Sequence, residues 1–207
     1  MTNKAKRSEW IKQEQKAFVE RIEGHSAGSR SIYWLDETSV HCWLKLTKSF
    51  SSTVDPIHTA MQNKRLKGLT VFGCLDMHSH DSFYLTEPKT ITWTMLDFLE
   101  NFIKHLKAKR TRHWRSLSRL VLVLDNHPVH HAKLVIAWLK EHKITVEFLP
   151  PYSSALSCIE HSWSQMKHKW KKELASHKVV YDRDRYLAGD ILEICRNLTV
   201  TPKLLAH

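Results

Sequence analysis

The chain has 207 residues, with 32 Lys and Arg against 21 Asp and Glu, a net charge of +11, and 42% hydrophobic residues. That size suits one domain with a sizeable core, and that charge suits a polyanionic partner, nucleic acid first and an anionic membrane second. No apolar run approaches the roughly 18 residues of a membrane helix. The basic start Met1–Arg7 has no apolar stretch behind it that would make a secretory signal. Five Gly and six Pro argue against a fibrous or disordered chain.

Residues 8–23 read as an amphipathic helix, with Trp10, Ile11, Ala17, Phe18 and Ile22 on one broad face, and Gly24 to Gly28 as a turn or short linker. Ser31 to Leu35 is a strand that stops at Asp36, and Val40 to Leu46 pairs back on it as a hairpin. Residues 47–67 are polar and without period, as in a loop. Leu69 to Leu75 is a strong strand and Ser82 to Leu85 a weaker one. Ile91 to Leu106 is a helix by its stripe of Met95, Leu96, Leu99, Phe102, Ile103 and Leu106. The unbroken run Leu120–Leu124 is a central strand covered on both faces. Ala132 to Glu141 is helical, Ile144 to Phe148 extended, and Leu149-Pro150-Pro151-Tyr152 a rigid turn. Helices follow at Ala155 to Lys172, where Ile159, Trp163, Met166 and Trp170 share a face, and at Arg185 to Asn197. The order is that of an α/β fold with a mixed central sheet flanked by helices.

The cysteines are Cys42, Cys74, Cys158 and Cys195, with no C-x-x-C pair, and read as reduced thiols. Cys74, His78 and His80, and His127, His130 and His131, are close in sequence but lack the ligand spacing of a finger or ribbon zinc site.

Three carboxylates stand out. Asp36 and Asp125 each follow an apolar strand, and Glu160 lies in the first turns of a helix. In open α/β sheets ligands gather where strands end. Taken singly, an Asp after a strand is more often a turn or cap residue. Three carboxylates converging on one crevice would repel one another unless hard cations lay between them.

The residues around these three carry a resemblance. Tyr33-Trp34-Leu35-Asp36-Glu37-Thr38-Ser39 resembles the first-aspartate motif of the mariner-related transposases and their bacterial insertion-sequence relatives. Val123-Leu124-Asp125-Asn126, with His130 five residues beyond Asp125, resembles their second. Leu149-Pro150-Pro151-Tyr152-Ser153 followed by Ile159-Glu160-His161-Ser162-Trp163-Ser164 resembles their third, and the 34 residues 126–159 match the spacing of the Asp-Asp-Glu branch. The third motif departs in one respect. Relatives carry Asn-Pro ahead of Ile-Glu, and Ser157-Cys158 stand here, so the pre-organising proline is missing.

The resemblance implies an RNase H-like fold and a metal-dependent DNA endonuclease and strand transferase. It implies a catalytic core over residues 29–178, a helical arm and linker over 1–28 and a helical tail over 179–207. It makes Asp36, Asp125 and Glu160 the ligands of two Mg²⁺ ions, with Mn²⁺ able to substitute, and Asn126 and His130 supporting residues. Its partners are double-stranded DNA as transposon ends and target, a separate helix-turn-helix subunit, and a second copy of the chain, with no membrane. The expected setting is intracellular: cytoplasm or nucleoid in a bacterium, nucleus in a eukaryote.

Candidate phosphate contacts are Lys167 and Lys171, which share the Glu160 face of their helix. The basic segment with Lys109, Arg110, Arg112 and Arg115 is another, by charge density. A second reading is a truncated or host-adopted remnant that binds DNA without useful catalysis.

Overall fold

The computed structural model describes residues 3–40, 68–76, 78–79, 81–109, 116–176 and 186–198. The strands are β1 (Ser31–Val40), β2 (Leu69–Asp76), β3 (Ser82–Glu87), β4 (Leu120–Leu124) and β5 (Thr145–Phe148). The helices are α1 (Asn3–Ala27), α2 (Thr92–Ala108), α3 (Lys133–Glu141), α4 (Ile159–Ser176) and α5 (Tyr186–Arg196). The five strands form one mixed sheet in the order β3-β2-β1-β4-β5. β1, β2 and β3 pair antiparallel, whereas β1–β4 and β4–β5 are parallel. This is the mixed sheet expected from the sequence.

Side-chain alternation along the strands divides the core in two. Ile32 and Trp34 of β1 and Val121 and Val123 of β4 face a layer built from Phe18 and Ile22 of α1, Trp163, Met166 and Trp170 of α4, and Ile191 and Cys195 of α5. Tyr33, Leu35, Leu120, Leu122 and Leu124 face the other way, against Phe98 and Phe102 of α2 and Val135 and Leu139 of α3. All five β4 residues are buried, as a central strand requires.

Three boundaries differ from those expected. β1 does not stop at Asp36 but runs on to Val40, because Asp36 and Glu37 pair with Gly73 and Phe72 of β2. Backbone pairing outweighs the polar side chains. The partner of β1 is therefore β2, and residues 41–46 of the expected hairpin lie outside the described residues, as do 47–67. α1 starts earlier and ends later than its apolar pattern. Helix replaces the expected linker as far as Ala27, and the end is closed by Ser29 at φ 54° with Arg30 N–H donating to His25 O (3.2 Å). Of its expected apolar face, Phe18 and Ile22 are buried while Trp10 is exposed. α4 starts at Ile159 rather than Ala155, after a 3₁₀ turn at Ser154–Leu156.

α1 makes up for its thin apolar stripe with polar contacts to β5 and the loop after it. Arg21 Nε and His25 Nε2 reach the two oxygens of Glu147 at 3.0 and 2.9 Å. Gln15 donates to Ser153 Oγ at 3.0 Å and Arg7 to the Tyr152 hydroxyl at 2.6 Å. Among the described residues no helix is long and apolar enough to cross a membrane.

Candidate active site

The parallel pairing of β1 and β4 sets the site. Trp34 lies opposite Val123. Two steps further along each chain come Asp36, still within β1, and Asp125, just past the end of β4. α4 packs on the face that carries Trp34 and Val123 and brings Glu160 in its first turn. Asp36, Asp125 and Glu160 line one cavity of about 750 Å³, which is also bordered by the Pro150–Ser154 loop and by Glu14 and Arg21 of α1. The three carboxylates singled out in sequence thus share a cavity.

Each is held differently. Asp36 sits inside β1; its Oδ1 accepts the Glu37 N–H (2.8 Å) and its Oδ2 accepts Trp163 Nε1–H from α4 (3.0 Å). That indole fits because residue 73, opposite Asp36 in β2, is glycine. A Cβ there would come within 2.5 Å of Trp163 Cη2 and 2.9 Å of the Tyr84 ring. Burial lifts the Asp36 carboxyl to about 7, and the two donated hydrogen bonds do not offset it.

Asp125 lies just past β4 and is half-exposed. Its Oδ1 is 2.8 Å from His130 Nδ1 and accepts the His127 N–H at 2.9 Å. His130 holds its carboxyl below the usual range. His130 itself is fully buried, with Nε2 3.1 Å from Glu37 Oε2. Burial works against its charge, but Asp125 and Glu37 at its two nitrogens prevail and lift it to about 10. His127 Nδ1 lies 3.2 Å from the other Glu37 oxygen. Glu160 is exposed at the start of α4.

The supporting residue Asn126 donates from Nδ2 to Leu149 O (2.7 Å), and its Oδ1 lies 3.3 Å from His131 Nε2. It fastens the exit of β5 to the exit of β4. Lys167 and Lys171 are exposed on α4. Lys109 ends α2 near the turn between β2 and β3, and its Nζ is 2.5 Å from Asp81 Oδ1. That turn lies beside Tyr33, on the β1 side away from the carboxylates. Arg110, Arg112 and Arg115 lie outside the described residues.

Cys74, Cys158 and Cys195 are free thiols, while Cys42 and His80 lie outside the described residues. Among the described residues no three His, Cys, Asp or Glu side chains are gathered closely enough to enclose a metal ion as they stand. The donor chemistry of the cavity nevertheless fits a hard divalent cation. Asp36, Asp125 and Glu160 bring carboxylate oxygens to it, Asp36 is partly buried without a cationic partner among the described residues, and Asp125 keeps Oδ2 outside its described hydrogen bonds.

Three contributors were not readable as such in the sequence. Glu37 reads as a neighbour of Asp36, yet strand alternation sends it to the opposite face, where His130 lies 93 residues away. Trp163 reads as core, and its spacing from Glu160 is the one hint that it also reaches the site. Gly73 carried no signal at all.

The family model described as DDE superfamily endonuclease matches residues 31–180. No curated protein matches the chain. Among solved structures, the Mos1 transposase paired-end complex with left transposon end is 18% identical with a TM-score of 0.66, covering 92% of this chain and 56% of that one. The catalytic domain of Mos1 mariner transposase is 15% identical with a TM-score of 0.60, covering 92% and 83%. The HTLV-2 integrase catalytic core domain in complex with magnesium is 12% identical with a TM-score of 0.51, covering 80% and 82%. These likenesses show the fold, which is the RNase H-like fold of transposase and integrase catalytic domains. The chain spans a little over half the length of the transposase in the paired-end complex.

Proposed function

The chain belongs to the DDE superfamily of endonucleases, and we propose that it is a transposase catalytic domain that cuts DNA and joins the freed strand to a target. The observation that carries this reading is that Asp36, Asp125 and Glu160 line one cavity beside the parallel strands β1 and β4.

Asp36, Asp125 and Glu160 would hold two Mg²⁺ ions, with Mn²⁺ serving in their place. When bound, such a pair activates the attacking oxygen and stabilises the leaving oxygen in phosphodiester chemistry. The chain's own residues do the rest. Trp163 and the Glu37 amide fix the Asp36 carboxylate in the sheet. Asn126 locks the β5 exit, so the Pro150–Ser154 loop that forms one wall of the cavity stays beside Asp125. Lys167 and Lys171 lie on the exposed side of α4 and bind backbone phosphates. A net charge of +11 draws the duplex in.

The partner is double-stranded DNA, first as transposon ends and then as target, inside the cell wherever that DNA resides. A paired-end assembly of two copies, with end recognition by a separate helix-turn-helix subunit, completes the proposal. Its support is the fold shared with the transposase of the paired-end complex.

The test is cleavage of labelled duplex DNA in Mg²⁺ or Mn²⁺ by wild type and Asp125→Asn, with and without a helix-turn-helix partner. Metal-dependent cutting that falls by at least about 10³-fold in the variant, as expected when a catalytic-metal ligand is lost, upholds the reading. Salt-sensitive binding without cutting under every condition replaces it with the DNA-binding remnant. That second reading draws on the exposed Glu160, whose helix lacks the proline at position 158.

A further inference from the structure

We propose that Glu37 is a positioning residue that acts through His130, fixing the Asp125 carboxylate by one oxygen and leaving the other, Oδ2, for a divalent cation. The proposal rests on the catalytic reading of Asp125 given above.

Glu37 has no place in the cavity itself. It follows Asp36 in β1, and alternation turns it to the opposite face of the sheet. Its side chain is only 10% exposed. A carboxylate buried there needs partners, and both of its described partners come from the segment just after Asp125. His130 Nε2 takes Oε2 at 3.1 Å and His127 Nδ1 takes Oε1 at 3.2 Å. From its other nitrogen, His130 reaches Asp125 Oδ1 at 2.8 Å, and that nitrogen also lies 3.2 Å from the Asp125 main-chain oxygen. The ring has no exposed surface and lies between the two carboxylates.

Every described contact to the Asp125 side chain therefore converges on Oδ1, from His130 Nδ1 and from the His127 N–H. Two donors on one oxygen fix the plane of the carboxylate. Oδ2 remains as the donor this residue brings to the cavity it lines. The chain Glu37–His130–Asp125 is thus an outer support for a metal ligand. Such supports set ligand orientation, and their loss costs about 10- to 100-fold in metal affinity or activity.

A purely structural role, in which Glu37 only ties the 126–131 segment to β1, predicts lower stability with unchanged metal affinity. The experiment measures Mn²⁺ binding to the full chain by calorimetry, with thermal melts alongside, for wild type, Glu37→Ala, Glu37→Gln and Asp125→Asn. Wild type is expected to bind Mn²⁺ and Asp125→Asn to lose it. Glu37→Ala is expected to bind about 10- to 100-fold more weakly, and Glu37→Gln, which keeps an acceptor for His130, to recover most of that loss.

A cooperatively melting Glu37→Ala with wild-type Mn²⁺ affinity overturns the proposal. So does a Glu37→Gln variant as weak as Glu37→Ala. If Glu37→Ala does not fold, Glu37→Asp decides, since it withdraws the carboxylate from His130 by one methylene. Wild-type affinity in that variant overturns the proposal too. Wild-type Mn²⁺ binding that survives Asp125→Asn removes the catalytic reading itself, and this proposal with it.

Discussion

Asp36 and Asp81 are both partly buried carboxylates of the same sheet, and the protein treats them in opposite ways. Asp81, at the β2–β3 turn, accepts from the Tyr33 hydroxyl at 3.0 Å and is met by His105 Nε2 at 3.2 Å and Lys109 Nζ at 2.5 Å. Burial pushes its carboxyl up, but His105 and Lys109 outweigh that and bring it down to about 2. Asp36, three residues along β1 from Tyr33, receives one indole and one amide hydrogen and no cation among the described residues, and its carboxyl rises to about 7. A buried charge matched by a cation is a structural tie; one left unmatched in a cavity wall is what the proposed metal-binding role of Asp36 requires. Asp125 lies between the two cases, with His130 matching one of its oxygens.

The sharpest way to break this comparison is to neutralise each residue in metal-free buffer and follow thermal stability against pH. The folded Asp36 carboxyl titrates above its unfolded value near 4, so its charge costs stability increasingly from pH 4 to 7 and fully above 7. Asp36→Asn should therefore gain stability at pH 8, on the order of 1–4 kcal/mol, while losing any stabilisation by Mn²⁺. Asp81 is the mirror case. Its folded value lies below the unfolded one, so its contribution is full above pH 4 and fades as pH falls from 4 toward 2. Asp81→Asn should lose about 2 kcal/mol at neutral pH, and the gap to wild type should close near pH 2. Two losses of equal sign at pH 8 would show that Asp36 is compensated after all.

Gly73→Ala probes the packing that gives Asp36 its indole. The added methyl meets Trp163 and Tyr84 inside 3 Å, both rings being buried core. Overpacking of this kind costs about 1–3 kcal/mol, and the expected response is displacement of Trp163 from Asp36. A melt and a Trp fluorescence spectrum check it. An unchanged melting temperature would mean that the indole is free to move, and that its bond to Asp36 is incidental.

How much of this was readable in advance follows from the range of each interaction. Asp36 and Asp125 stand at abrupt changes from apolar to polar sequence, and β4 declares itself through five consecutive apolar residues. Those signals are local, and the motifs around them resemble a known family. The supporting residues are not local. Glu37 meets His130 across 93 positions and Trp163 meets Asp36 across 127. Gly73 matters only through β1–β2 register. The extension of β1 beyond Asp36 was hidden for the same reason, since backbone pairing with β2 carries it through two acidic residues. α1 is longer than its apolar period because such a period reports helix burial and not helix length; nine residues of α1, Asn3–Arg7 and Gly24–Ala27, lie outside the periodic stretch.

The smallest expected effect concerns the path of DNA. Lys167 is exposed on α4 on the Glu160 side, whereas Lys109 is spent on Asp81 at the turn beside Tyr33. A lysine that neutralises a phosphate contributes about one unit to the dependence of log K on log salt, and a lysine paired within the protein contributes little. Lys167→Ala should lower that slope by about 1 without changing the melting temperature. Lys109→Ala should leave the slope as it is and lower the melting temperature, because it removes a cation from Asp81. Titrations of duplex DNA at several salt concentrations separate the two. If Lys109→Ala also lowers the slope by about 1, the basic segment around it carries DNA, and the duplex must extend from the carboxylate cavity past Tyr33 to the β2–β3 turn rather than follow α4 alone.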